Sequence, residues 1–236
     1  IFQSPDFFRL HDGGLGAFFE WATDEETVAW AHFTPTADGD WRSPARGTFG
    51  GFGHKKDLRL EDLIAFQEAI ELELKAMGAK RVDILLPPEA HDPTAFANCY
   101  YMLHCAGYSV TRSDLNHSLL VDERPLFDRM AYGNQKRLKK CRREALVAQE
   151  IGPSELPAVY SVLEENRSVK GNRLSMTLDQ IETMRQVFPE AIKLFGCSDG
   201  NELVASAICI RVSADILYVF YWGDRPGYSA QSPVVA

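Results

Sequence analysis

Near the end of the chain, three strand-like apolar runs follow one another with only short polar turns between them. No other feature constrains the fold as strongly. Residues 191–197, 203–212 and 216–222 are rich in β-branched and aromatic residues, separated by Asp199-Gly200-Asn201 and Ser213-Ala214-Asp215. A parallel neighbour needs a crossover of a dozen or more residues, so strands this close in sequence must pair antiparallel. Asp-Gly between apolar runs is a strong hairpin signal. Ahead of the strands lie three helical patterns. The first is predicted over 134–148 and the second over 154–169, with Val159, Val162 and Leu163 on one face. Thr177 is placed to cap the third, which turns Leu178, Ile181, Met184 and Val187 inward and stops before Pro189. Helices followed by consecutive antiparallel strands imply an α+β layer.

The first half has a similar balance. Strands are predicted over 15–21, 27–33 and 46–52, the last broken by glycines. Leu63, Phe66, Ile70, Leu74 and Met77 recur at three and four, which predicts a helix over 60–77 that Gly78 ends. A short strand over 81–86, a helix over 93–106 and a strand over 115–121 follow. The chain is therefore read as two tandem modules, 1–122 and 134–236, joined by a linker over 123–133. The apolar end Pro233-Val234-Val235-Ala236 reads as the start of a helix, with the rest of the second module missing.

Charge separates the halves. Residues 1–132 hold 12 basic and 21 acidic residues, against 13 and 12 in 133–236, within a total of −8. At 45% hydrophobic and 25% charged, the chain has enough apolar surface to exclude a disordered class. No run reaches the roughly 20 apolar residues of a membrane span. Five scattered cysteines without a CxxC, and six histidines without HxxxH spacing, give no metal site. Reduced cysteines and the absence of a signal segment point to a cytoplasmic protein. The glycine-rich 47–53 stretch is not a phosphate loop, since no Gly-Lys-Ser/Thr follows; it marks a bulge or a close ligand approach.

One segment stands out chemically. From Asn134 to Glu144 there are six Lys/Arg and one acid, and Lys136, Lys139, Lys140 and Arg143 fall on one broad helical face. Such a face could hold the phosphates of a tRNA, a nucleotide-linked precursor or an anionic lipid, but a solvated surface answering the acidic first half is the plainer reading. The overall acidity argues against a general nucleic-acid binder, so tRNA is a possible partner and not the favoured one.

Four stretches together resemble the acyl-CoA N-acyltransferase (GNAT) superfamily in its tandem-domain, FemAB-like branch. They are 43–52, 116–121, 134–143, and the hairpin 202–222 with Pro226-Gly227-Tyr228-Ser229 after it. The resemblance implies two modules of the acetyltransferase fold, each a mostly antiparallel sheet flanked by helices. It implies an acyltransferase (EC 2.3 class) that moves an acyl or aminoacyl group from a thioester or ester donor to a small-molecule or peptide amine. Acyl-CoA is then the co-substrate, with no permanently bound cofactor. In the peptidoglycan-bridge branch aminoacyl-tRNA takes its place.

By the same resemblance the donor pyrophosphate would meet a helix N-terminus formed by Arg225, Gly227, Tyr228, Ser229 and Ala230, with Ser229 as N-cap. The single glycine after Arg225 departs from the usual spacing and fits the divergent branch. Tyr221 and Asp224 are the implied proton-handling candidates. Lys136, Lys139, Lys140 and Arg143 are the candidate substrate-binding set. A binding protein that kept the fold without transfer is the other reading.

Overall fold

The computed structural model describes residues 1–24 and 26–236. The chain divides into two compact units, 1–119 and 120–236.

The first unit opens with helix α1 (Pro5–His11), which the sequence reading passed over. Ser4 caps it by accepting from the Phe7 N–H, and Pro5 sits in the first turn, where its missing N–H is no loss. Strands β1 (Ala17–Ala22) and β2 (Thr27–Pro35) lie close to the first two expected strands and pair antiparallel, with Phe18 opposite His32 and Trp21 opposite Ala29. The third strand was expected over 46–52. Instead, β3 (Trp41–Ser43) and β4 (Phe52–His54) both pair with β2, at 34–35 and 29–31 respectively. The glycine-rich stretch is the excursion between them. Gly47 and Gly51 take positive φ, and the Ser43 hydroxyl accepts from the Gly51 N–H at 2.8 Å, closing the loop.

Helix α2 (Leu60–Ala76) follows, then β5 (Val82–Ile84), parallel to β3, and α3 (Pro93–Cys105). Strand alternation sends Ala29, Ala31 and Phe33 into one core with Leu63, Phe66, Ile70, Met102 and Leu103 of the helices. The opposite face receives α1, whose Phe8 packs on Phe18 and on the buried His32. No strand forms over 115–121; Leu115 and Leu120 are more than four-fifths exposed, and the run pairs with no described strand.

In the second unit a short helix, α4 (Leu126–Arg129), precedes α5 (Tyr132–Arg143), so the stretch read as a linker is partly helical. The helix expected to run to Ala148 stops at Arg143. Ala145 takes a left-handed conformation (φ 57°), and 147–151 become strand β6 because the neighbouring β7 offers it an edge. Helix α6 (Leu156–Val169) and α7 (Leu178–Val187) lie close to expectation, and Thr177 makes a full capping box with Gln180. Strands β7 (Ile192–Asp199), β8 (Glu202–Arg211) and β9 (Leu217–Asp224) complete an antiparallel sheet in the order β6-β7-β8-β9. Alternation along β8 turns Ser206 toward α6, where it donates to the Val159 carbonyl, and Ala205 with its partner Cys197 toward Cys141 of α5.

The structure is thus mixed helix and sheet, with both sheets mostly antiparallel. The parallel β3–β5 pair belongs to the first unit alone.

Candidate functional site

The sequence candidates of the second unit gather around the end of β9 and the strap that follows it, residues 225–232. Strand β9 is not regular. Tyr221 faces Ile208 and Val219 faces Cys209, so Phe220 is an extra residue without a partner on β8. Such a bulge bends a strand and interrupts its ladder.

Tyr221, one residue on, is 6% exposed. Its hydroxyl accepts from the Met176 N–H at 3.1 Å and shares a hydrogen with the Ser175 hydroxyl. It therefore ties the loop before α7 to the sheet. Asp224 closes the strand half-buried. Asn166 of α6, itself buried, donates to both the Asp224 carbonyl (2.7 Å) and its carboxylate (3.1 Å), and accepts from the Lys170 ammonium. Gly223 permits this: a Cβ there would lie 2.7 Å from Asn166 Cγ.

The expected helix N-terminus is absent. Pro226 and Gly227 occupy the two centre positions of a tight turn, with Gly227 at φ 95° and the Tyr228 N–H donating to the Arg225 carbonyl. Gln231 and Ser232 donate to the carbonyls of Tyr228 and Ser229 in further turns. Ser229 caps no helix. Ser232 adopts φ 57°, and only a single 3₁₀ turn follows, over Pro233–Val235. The residue before a proline is pushed away from right-handed helix, so a helix started at Ser229 would break at Ser232. The N–H groups of Tyr228, Gln231 and Ser232 are engaged in turns and are not presented to an anion.

Nor does Arg225 supply free charge. Its guanidinium lies 3.4 Å from both Glu165 and Glu202, two carboxylates to one cation. The Tyr228 hydroxyl donates to the other Glu202 oxygen at 2.8 Å, and this bond raises its pKa. Its ring packs beside Cys141, Leu146 and Val204, which anchors the strap.

Contacts across ninety residues of sequence join the strap to α5. The Lys140 ammonium donates to the Ala230 carbonyl at 2.6 Å, and the Cys141 thiol donates to Gln231 and Ser232 carbonyls. The four basic candidates are therefore not equivalent. Lys140 is drawn inward, 3.8 Å from Glu144, while Lys136, Lys139 and Arg143 are exposed. Sequence reasoning missed the aromatic floor under them. Lys136 lies 4.5 Å over the exposed Tyr132 ring, and Lys139 and Arg142 lie 5.3 and 6.0 Å over Phe127. The signal was present in the spacing, since Tyr132 is four residues before Lys136. The result is a cationic face with stacked rings, contiguous with a strap at the end of a bulged strand.

No protein-family model and no curated protein matches the chain. Among solved structures, the crystal structure of FemX aligns with all of it and with 78% of its own length, at a TM-score of 0.67 and 10% identity. The C-terminal domain of a protein assigned as a lysylphosphatidylglycerol synthetase, from Agrobacterium fabrum, aligns over 99% of this chain and 69% of its own, at 0.50 and 13%. The likeness is one of fold, and it is the N-acyltransferase fold of the FemAB-like kind that the sequence resemblance implied.

Proposed function

We propose that the chain is an N-acyltransferase that moves an aminoacyl or acyl group to an amine, with a polyanionic donor of the aminoacyl-tRNA kind preferred to acyl-CoA. The observation that carries this reading is the contact between the basic, ring-backed face of α5 and the strap at the end of β9. Polyphosphate backbones bind to cation rows, and single-stranded ends stack on exposed rings. Coenzyme A fits less well, because its pyrophosphate would meet the Glu165–Arg225–Glu202 cluster and no helix N-terminus. The fold likeness to a domain named for lysylphosphatidylglycerol synthesis is in keeping with the aminoacyl variant.

The transfer itself is simple. The neutral acceptor amine attacks the donor carbonyl carbon, the C–N bond forms, and the C–O bond to the donor breaks. The proton released from nitrogen ends on the departing oxygen. Most of the acceleration comes from holding the two reactants together. In this reading Asp224, at the head of the strap, relays that proton, a role supported by the hydrogen bond with which Asn166 fixes its carboxylate. Tyr221 then acts as a positioning residue for the Ser175–Met176 loop.

The test compares aminoacylated tRNA, uncharged tRNA and acetyl-CoA on the full natural chain. Both tRNAs should bind, with acetyl-CoA weak. Replacing Lys136, Lys139 and Arg143 together with Gln should lower the slope of log K against log salt by about 2–3, with the fold unchanged. Asp224→Asn should lower transfer and leave binding intact. Acetyl-CoA bound tightly and insensitively to the triple variant would sink the polyanion reading. Binding without transfer to any amine would instead favour a non-catalytic protein that kept the fold, a reading supported by the neutralised Arg225.

A further inference from the structure

An open groove of about 480 Å³ runs along the first unit, far in sequence from the basic helix. Its walls are Phe19, Glu20, Trp21 and Ala22 on one side and Ala65, Phe66, Ala69, Ile70 and Glu73 on the other. Four consecutive β1 residues cannot all point one way, because side chains alternate along a strand. The wall is therefore the edge of β1 itself. Strand β1 ends its sheet and pairs only with β2 among the described residues, so the backbone groups on its outer side meet no strand.

The opposite wall is the flank of α2 that reaches past this edge. Ala65, Ala69 and Glu73 are spaced by four, share one face, and are exposed. Two of the three are small, which leaves room under the helix. Sheet neighbours sit about 4.8 Å apart, so one further strand would lie beside β1 and beneath this overhang. In the second unit, strand β6 adds antiparallel to the outer side of β7 in this manner, from Val147 opposite Ser198 to Ile151 opposite Leu194.

The groove also selects by charge. Trp21 and Phe19 turn toward the helix side, where they pack near Phe66 and Phe33, so a strand inserted here presents apolar side chains that way. Its alternate side chains meet Glu20, and its end meets Glu73. Neither carboxylate has an ion-pair partner among the described residues, and no cation lines the groove. We propose that the outer edge of β1 is a strand-acceptor site for an extended peptide segment that alternates apolar and basic residues and adds antiparallel to β1. The backbone ladder supplies affinity, and the Ala65–Ala69 slot and Glu20 supply selection.

Three labelled eight-residue peptides test this on the whole chain: valine alternating with lysine, valine alternating with glutamate, and the lysine peptide with alternate amides N-methylated. Fluorescence anisotropy should show saturable binding of the first alone, with slowed amide exchange in β1 on binding. Filling the slot with Ala69→Trp should abolish binding. Reversing the rim with Glu20→Lys and Glu73→Lys should weaken it about tenfold, from loss of two exposed ion pairs and gain of repulsion. All three positions are exposed, so near-unchanged urea midpoints are expected. The proposal is overturned if no peptide binds, if the glutamate or methylated peptide binds equally, or if Ala69→Trp binds as the parent does. It is also overturned if β1 protection rises with protein concentration alone, which would make a second copy the occupant.

Discussion

Gly223 is the residue on which the candidate site most depends. It does not need an unusual backbone angle; it needs the space that a side chain would take from Asn166. Asn166 is held by its neighbours on α6 and by β9, and a buried side chain in a packed layer moves only at a cost. Gly223→Ala should therefore displace the amide, break both bonds to Asp224, and destabilise the second unit by about 1–3 kcal/mol. Chemical denaturation reads the loss. An unchanged midpoint would mean that Asn166 has a second rotamer and that the close approach matters little. Tyr221 shows the same logic in reverse. The residue implied as catalytic uses its hydroxyl to satisfy a backbone N–H, and burial explains why that N–H needs a partner.

At the scale of elements, α7 depends on a local device. Thr177 and Gln180 satisfy each other's backbone N–H groups, and Ile181 and Met184 are fully buried beneath. The preceding loop hangs on Tyr221, so the cap and the loop position one another. Thr177→Ala should cost about 1 kcal/mol, and Thr177→Ser should restore most of it. Amide exchange at Gln180 would report the effect directly; equal protection in all three proteins would remove the cap from the account. The strap makes the opposite case. It has no regular structure, and it is held by α5 through Lys140 and Cys141 and by its own tight turns.

Across the whole molecule the titratable groups are unevenly shared. All six histidines lie in the first unit. Burial lowers the pKa of His32 and His91, and burial together with the nearby Arg46 charge lowers His11 from 6.5 to about 4. A base whose pKa is depressed in the fold resists protonation there, while the unfolded chain accepts protons near 6.5. Stability is then fully present above that pH and falls as pH drops from 6.5 toward 4. The second unit has no histidine to respond. Urea unfolding at pH 7 and pH 5 should show a fall for the first unit that His11→Gln and His32→Gln reduce, and little change in the histidine-linked part for the second. Equal losses in both units, untouched by those substitutions, would place the acid response in the carboxylates instead.

Local patterns determined much of this protein. The Asp199-Gly200 turn and its flanking runs fixed the β7–β8 hairpin, because a hairpin's register is set by its own turn. The three- and four-residue spacing of Leu63, Phe66, Ile70 and Leu74 fixed α2, and Thr177 with Gln180 fixed the start of α7. The basic face of α5 was visible in the same way. Tertiary pairing decided the rest. Residues 147 and 148 read as the end of a helix in sequence, yet with 149–151 they form a strand, because β7 offers them a ladder that the helix cannot match. The split of 41–54 into β3 and β4 follows from the length of β2, which is nine residues and accommodates both. The two charge clusters changed meaning on folding. Arg225 met Glu165 and Glu202, and Lys140 met Ala230, through contacts that span up to ninety residues. A sequence gives the sign and number of such charges. Whether each one remains free to bind a ligand depends on which opposite charges and carbonyls the fold brings within about 4 Å, and that distance exists only in three dimensions.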